Sequence, residues 1–585
     1  MLRLHGTIYK LRASRVQEKG RKNGLRLRLG LRLRKGPARR QRTLILNSET
    51  LCLPARRAWW RALAVCAIVA LVVFVRLRLL QIPLERDEGE YAYSGQLMLE
   101  GIPPYQMAWN MKLPGTYAAY AVMMGLFGQS IGGIHLGFLL ANLGALALLL
   151  FIARRLTGVW GAIIACATYA LLSLSPGVLG LAGHATHLVT LAALGGFLLL
   201  LRAREGGCGT GLFWSGLCFG LAFLCKQPGL YFGMFGFCVV LRDAARTRPV
   251  AWRPLLRNTG FFSAGMVLPF ALTCLILWRL GTLQKFWFWT FTYAKVHAGI
   301  LNGEMAWGQL VSFFESCGWV KWSLPPAGAG LVCLLREKDN GDRKFMVTML
   351  LGFSLLAFAA AFYFSRHYFI VMLPVVSLLT AIAVTAAAQA LAGARRAAAR
   401  LAPAGLFVLA CAAFVVNHRA VWFEMGPEAV CRAVYGRNPF VESVEIGRYI
   451  REHSAPDARV AVIGSEPQIY FYAHRRSASG FIYMYDLVQL HGYAGQFQRD
   501  MIGEIEAAKP QYLVMVNVSS SWLDWPGADK TLSDWGGKYI RNFYERAGSV
   551  YIYPTRSDYV WDGAAQVERN DTGFLVDVYK RKDSL

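Results

Sequence analysis

The sequence predicts a polytopic α-helical membrane protein that ends in a small extracytoplasmic α/β domain. Three observations carry this. Of the 585 residues, 55% are hydrophobic and only 17% charged, where roughly a quarter would be charged in an ordinary soluble domain. The apolar residues fall in blocks of about 20, the length a helix needs to cross a bilayer. From residue 421 onward those blocks stop, and short apolar runs bounded by turn residues replace them.

The chain opens on a strongly basic segment. Residues 1–61 hold 18 Lys/Arg against 2 Glu, and so carry +16 of the net charge of +28. A nucleic-acid arm has the same composition, but a basic stretch beside a first span is what the positive-inside rule places in the cytoplasm. Residues 1–57 therefore read as a disordered cytoplasmic tail, and no nucleic-acid partner is expected. No small-x-small cleavage site follows the apolar run 62–80, which reads as an uncleaved span.

Further spans are expected at 133–153, 158–180, 184–202, 211–225, 229–241, 258–280, 312–335, 345–364, 368–390 and 401–418. That makes about 11 crossings, at most about 13, within a membrane domain over 58–420. If each crosses once, the basic connectors 153–156, 202–205, 242–258, 336–344 and 394–400 all face the cytoplasm. The apolar stretch 114–128 is short, and a full crossing there would invert every later loop. It is expected to re-enter or to lie in the interface. The outer face then collects 81–132, 180–187, 226–229, 281–311, 365–368 and the C-terminal domain, residues 421–585.

In that domain "RVAVIG" (459–464) and "QYLVMVN" (511–517) read as buried strands. "FQRDMIGEIEAAKP" (497–510) has helical spacing and stops at Pro510. The domain contains no G-x-G-x-x-G loop, G-x-S-x-G elbow or metal-ligand pair. The chain has 12 cysteines, most in apolar segments and none in a C-x-x-C pair, which suits buried small side chains rather than zinc or disulfides.

The chemistry-bearing residues concentrate on the expected outer face. Asp87 and Glu88 follow the first span; an isolated pair of this kind is most often solvated, but it could also orient a sugar or act as a general base. Lys112 precedes Pro114-Gly115 at a helix start, where an ammonium and the helix N-terminus together suit a phosphate. His184 and His187, at i and i+3, could share a helix face. They could bind a divalent metal, yet two ligands are too few, and lining a cavity is the better use. Lys226 lies between two short apolar helices, and Arg366, His367 and Tyr368 between two more. The aromatic stretch 286–308 suits a lid at the membrane surface. An acid able to take a hydroxyl proton, ringed by cations able to hold a phosphate, is what glycosyl transfer from a lipid phosphate requires.

The motifs "RDEGEYAY" (86–93), "KLPGTY" (112–117), "CKQPG" (225–229) and "SRHYFIVMLP" (365–374), in this order, resemble the GT-C membrane glycosyltransferases. The resemblance is narrower to glycosyltransferase family 39, the bacterial relatives of protein O-mannosyltransferases and aminoarabinose transferases. It covers about residues 58–420, and "GSEPQIYFYAHRR" (464–476) and "EAAKPQYLVMVN" (506–517) are similar to an outer tail domain of bacterial members. The resemblance implies that Asp87 is the catalytic acid/base, with Glu88 beside it, and that Lys112 contacts the polyprenyl phosphate. Metal-using members carry Glu just before that lysine; here the residue is Met111, so no cofactor is assigned and a divalent metal stays open.

The expected activity is inverting transfer of a sugar from a polyprenyl-phosphate donor to a lipid, glycan or protein hydroxyl, at the outer face of a bacterial inner membrane. Arg366 and Lys226 would join Lys112 at the phosphate, and His184, His187, His367 and Tyr368 would line the cavity. The alternatives are a polytopic transporter or lipid flippase, and a non-catalytic cell-envelope assembly protein. A transporter would place its charges mid-span and repeat its halves; here the charges sit at span ends and no halves repeat.

Overall fold

Helix α1 (Ala55–Arg78) covers all but the last two residues of the first expected span. Near its end the buried Arg76 donates to the carbonyl of Gly180 at 2.7 Å, tying the span to the loop that leads to His184. Helix α2 (Arg86–Leu99) begins with a reciprocal cap. The Glu85 side chain accepts from the Glu88 amide at 2.9 Å, and the Glu88 side chain accepts from the Glu85 amide at 3.2 Å. Asp87 and Glu88 thus occupy a first turn whose exposed amides favour negative charge. These coordinates come from a computed structural model, which describes residues 55–206, 209–246, 252–523, 525–562 and 574–582. The tail expected over 1–57 lies outside them, apart from its last three residues.

Helix α3 (Pro114–Phe127) starts on Pro114, whose fixed φ and missing N–H suit a first helical position. It has 14 residues, and it is the short segment expected to re-enter or lie in the interface. Helix α4 (Ile131–Ser173) covers 43 residues in two arms that meet at a kink at Gly158, where φ is 76°. A side chain there would be strained, so glycine permits the turn. The two arms correspond to the expected spans 133–153 and 158–180. Helices α5 (Ala185–Gly206), α6 (Gly209–Cys225), α7 (Gly229–Ala245) and α8 (Trp252–Arg279) follow.

By length and composition six helices among the described residues could cross a membrane: 59–78, 131–173, 185–206, 252–279, 366–390 and 397–417. Gly209–Cys225 is apolar but shorter. The expected count of about 11 spans is therefore not reached by this measure. Two expected spans depart from single helices. Residues 312–335 divide among helix Gly303–Ser316, a 3-10 turn at Gly318–Ser323 and helix Leu324–Arg336. Residues 345–364 run from helix Gly341–Phe358 into an irregular stretch where Ala361, Phe362 and Phe364 have positive φ. Pro325 and Pro326, in the first turn of helix Leu324–Arg336, account for the division of the first of these.

One end of the bundle gathers α2 and the starts of α5 and α7. The opposite ends of α5 and α7 are joined by charge: Arg204 donates to Asp243 at 2.9 Å, and Arg242 to Asp342 of helix Gly341–Phe358 at 2.8 Å.

The C-terminal region builds a six-stranded mixed sheet from β1 (Arg459–Ile463), β2 (Arg476–Ser477), β3 (Tyr512–Asn517), β4 (Tyr544–Ile552), β5 (Ser557–Trp561) and β6 (Leu575–Arg581). The order is β2-β1-β3-β6-β4-β5. β1 runs parallel to β2 and β3, with helix Ala494–Ala508 crossing between β1 and β3; the remaining pairs are antiparallel. Strands β1 and β3 and the crossing helix coincide with the three elements expected from sequence. Residues 58–585 form one unit.

The aromatic stretch 286–308 folds as short helices and a π turn at Phe288–Tyr293. It packs on the sheet region: Trp289 meets Phe497 with ring centroids 5.1 Å apart, and the Tyr293 hydroxyl donates to Asp486 at 2.9 Å. Burial pushes the Asp486 carboxyl up to about 6, against the smaller opposing effects of Tyr293 and His491. A raised carboxyl favours the folded state at low pH, and that contribution fades as pH rises from about 4 through 6. Asp486→Asn should therefore melt at a higher temperature than wild type at pH 8, the gap closing towards pH 5. Paired thermal-unfolding curves across that range check this, and a gap independent of pH would refute it.

Candidate active site

Asp87, in the first turn of α2, is the centre of the site. Lys112, held in the stretch before α3, donates to Asp87 Oδ1 at 2.8 Å and to Glu90 Oε2 at 2.6 Å. The Lys112 carbonyl accepts from Tyr105 at 2.7 Å, which fixes the backbone there. Glu90 also accepts from the Tyr117 hydroxyl of α3 at 2.6 Å. Two carboxylates one helical turn apart thus share one ammonium, and only Asp87 is partly exposed: its side chain is 23% accessible and that of Glu90 0%.

The charges sort accordingly. Burial opposes ionisation of Asp87, but the Lys112 ammonium and the imidazoles of His367 and His184 hold its carboxyl well below the usual range. Burial raises Glu90, with Lys112 only partly compensating. Burial would lower Lys112 as well, yet Asp87 and Glu90 outweigh it and hold the amine charged. Burial pulls Lys226 down to about 7, opposed by Asp87 and reinforced by Lys112.

His367 approaches from the 3-10 turn Arg366–Met372. Its Nε2 lies 3.8 Å from Asp87 Oδ2 and 3.5 Å from the Lys226 amine. His184 stacks on His367 with centroids 4.1 Å apart and planes 10° from parallel. The Lys226 amine rests 3.8 Å from the centre of the Tyr368 ring. The predicted residues Asp87, Lys112, His184, Lys226, His367 and Tyr368 thus form one connected cluster.

The cluster faces a cavity of about 590 Å³ whose wall includes Asp87, Glu85, His184, Arg366 and His367, with Tyr435, Asn438 and Tyr485 from the C-terminal region. Arg366 donates to the Val434 carbonyl at 3.5 Å. Lys112, Lys226, His187 and Tyr368 are not part of this wall. His187 is buried in the first turn of α5, with Nε2 lacking a hydrogen-bond partner among the described residues.

Glu88 is placed differently from Asp87. Its carboxylate accepts from the Gly183 amide and lies 3.0 Å from His135 Nε2 of α4. Burial disfavours its charge, but His135 and then His184 and Gly183 hold it below the usual range. Glu88 fastens α2 to α4 and to the loop before α5, and it does not line the cavity.

Sequence reasoning missed Glu90, Tyr483 and Arg86. Glu90 had a signal, since "RDEGE" places it one turn from Asp87 on the same helix face. Tyr483 had none: its hydroxyl donates to Asp87 Oδ1 at 3.0 Å across 396 residues of chain. Arg86 pairs with Glu466 at 2.8 Å and donates to the Ser465 carbonyl at 2.6 Å, binding α2 to the sheet region.

Asp87, His184 and His367 each offer one ligand atom within 4.8 Å of the others. Both ring nitrogens of His184 are buried without a hydrogen-bond partner among the described residues. Burial pulls its imidazole down to about 4, although Asp87 and Glu88 oppose this, so it is neutral at pH 7 as a metal ligand must be. The donor set fits a borderline divalent ion such as zinc.

Solved structures share this architecture. ArnT from Cupriavidus metallidurans bound to undecaprenyl phosphate superposes with a TM-score of 0.52 at 17% identity, over 78% of this chain and 93% of that one. The chain has the GT-C fold. The apo state of the same ArnT matches with a TM-score of 0.52 at 15% identity, over 90% of this chain and 98% of that one. The archaeal oligosaccharyltransferase AglB from Archaeoglobus fulgidus, in complex with an inhibitory peptide and a dolichol-phosphate, gives 0.50 at 13% identity, over 87% and 75%. The profile described as dolichyl-phosphate-mannose-protein mannosyltransferase matches residues 112–278. That segment includes Lys112, His184, His187 and Lys226 but neither Asp87 nor Arg366. No curated protein sequence matches this chain. The GT-C chain is membrane glycosyltransferase-like, and it resembles family 39 as its sequence motifs suggest.

Proposed function

We propose that this GT-C chain transfers a sugar from a polyprenyl-phosphate donor to an acceptor hydroxyl at the outer face of a bacterial inner membrane, with inversion. The observation that carries this reading is the exposure of Asp87, alone of the two acids paired to Lys112, on a cavity flanked by Arg366 and His367. The polyprenyl and dolichol phosphates bound by ArnT and AglB support the donor class. The sidedness follows from charge. The site lies at the starts of α5, α7 and helix Leu373–Ala390, whereas Arg204, Arg242 and the arginines after Ala390 lie at or beyond their far ends. By the positive-inside rule those far ends are cytoplasmic.

Asp87 accepts the proton of the acceptor hydroxyl as its oxygen forms a bond to the anomeric carbon. The bond from that carbon to the phosphate oxygen breaks on the opposite face, and the electron pair leaves with the polyprenyl phosphate. The phosphate needs its charge balanced rather than a general acid, and Lys112, Arg366 and Lys226 are the cations for it. Lys112 restrains the base while it is paired to Asp87, because a carboxyl held so low is a weak base. A donor phosphate that draws the ammonium towards itself raises the basicity of Asp87, so donor binding and base activation are coupled. Glu90 keeps the amine in place, and Glu88 keeps α2 in place.

Where a divalent ion binds, His184, His367 and Asp87 would hold it, the latter through Oδ2, the oxygen that Lys112 and Tyr483 leave open. It would supply positive charge beside the leaving phosphate, and the general-base role of that oxygen therefore belongs to the metal-free site. One equivalent of zinc is expected on the purified protein after chelator stripping and reloading, and none on His184→Ala, as read by elemental analysis. Equal zinc on both proteins would remove the site.

The glycoconjugate profile of cells tests the reading against the transporter and assembly alternatives. Deletion should remove one glycolipid or glycoprotein, restored by wild type but not by Asp87→Asn. Restoration by both would favour a non-catalytic role.

A further inference from the structure

We propose that Tyr483 is a positioning residue for Asp87, so that the sheet region completes the active site rather than standing beside it. The inference rests on Asp87 as the general base. Its ground is the asymmetry of the Asp87 carboxylate. Oδ1 accepts from two donors, Lys112 at 2.8 Å and the Tyr483 hydroxyl at 3.0 Å. Among the described residues, Oδ2 has only the His367 ring at 3.8 Å. A carboxylate pinned through one oxygen from two directions cannot rotate about its Cβ–Cγ bond without breaking both contacts. Oδ2 is therefore the oxygen that takes the acceptor proton, and Tyr483 fixes where it points.

The loop that carries Tyr483 is clamped on both sides. Before it, the Ser479 hydroxyl and the Gly480 amide donate to Glu504 at 2.7 and 3.1 Å, and the Gly480 carbonyl accepts from the Trp109 amide at 2.8 Å. After it, the Met484 amide donates to the Ser465 hydroxyl at 2.9 Å, and the Ser465 carbonyl accepts from Arg86, the neighbour of Asp87. Close backbone approach holds α2 against the same region, since a Cβ on Gly89 would stand 2.6 Å from Gln468 Cβ. The loop is built to hold one hydroxyl at one carboxylate oxygen, and a domain that merely bound partners would not need it there.

The ring of Tyr483 has its own contacts, with Tyr485 at 5.6 Å between centroids and the Lys112 amine at 5.4 Å. Tyr483→Phe keeps these and removes the donor alone. The test uses the purified full-length protein in nanodiscs with radiolabelled mannose, glucose, galactose and aminoarabinose, each linked to undecaprenyl phosphate, and an extract of the cell envelope as acceptor. Tyr483→Phe is expected to lower kcat about 10- to 100-fold, as loss of a hydrogen bond to a charged group does. KM for the donor should stay within about twofold, and the melting temperature within about 2 °C. Wild-type kcat, or a loss of kcat matched by a fall in melting temperature, would overturn the proposal. Asp87→Asn run alongside separates the two readings. If it is active, the general-base assignment fails and this inference with it. If it is inactive while Tyr483→Phe is unimpaired, only the role of Tyr483 fails. No turnover of any donor by wild type overturns both.

Discussion

Asp87→Asn is expected to lower turnover by roughly 10²- to 10⁴-fold, the range that a positioned general base contributes. The loss should come without loss of structure. The amide is nearly isosteric, Lys112 keeps Glu90 at 2.6 Å, and Tyr483 can still donate to the remaining oxygen. Glu90, itself held by Tyr117, cannot substitute, because it is fully buried and off the cavity wall. Turnover and thermal unfolding measured on the same preparation check both halves. An Asp87→Asn protein at the wild-type rate would remove Asp87 from the chemistry.

Lys112→Met is expected to destabilise the fold strongly. It strips the shared ammonium from two carboxylates, one of them fully buried. Removing one partner of a buried pair costs about 3–5 kcal/mol, and the lower end applies because Lys112 and Asp87 are each about a fifth exposed. The raised carboxyl of Glu90 offers the route to relief, since it can take up a proton. Lys112→Met with Glu90→Gln should therefore regain most of the melting temperature and none of the turnover, because the cation for the phosphate is still missing. A double variant that regained turnover would show that Lys112 serves only to neutralise the two acids.

What the sequence disclosed, and what it did not, divides by the range of the interactions. Hydropathy located α1, both arms of α4, α5, α8 and the last two apolar helices, because a span in lipid has to be apolar along its whole length. It did not disclose that 312–335 is divided, since Pro325 and Pro326 start a new helix within a stretch apolar enough to pass for one span. In the sheet, β1 and β3 are continuous apolar runs and were legible. Strands β4 to β6 mix polar and apolar residues, as in "YERAGSVYI" and "LVDVYKR", and each finds its partner only through the antiparallel pairing. In the site, loop position brought Asp87, Lys112, His184, Lys226 and His367 to one face, and the structure brings them into one cluster. The division of labour between Asp87 and Glu88 was not legible, because adjacent helical residues point about 100° apart and only the packing of α4 decides which is buried. Tyr483 was beyond reach for the same reason: nothing local distinguishes it from its neighbour Tyr485.

The central claim is Asp87-dependent transfer from a polyprenyl phosphate. Its most direct test is the purified protein supplied with the panel of undecaprenyl-phosphate sugars and an extract of the cell envelope as acceptor. Free undecaprenyl phosphate and the anomeric configuration of the labelled product would be measured together. The expected result is release of undecaprenyl phosphate in step with label transfer from at least one donor, with the configuration inverted and both signals lost in Asp87→Asn. Transfer with retention, or transfer by Asp87→Asn at the wild-type rate, would contradict it.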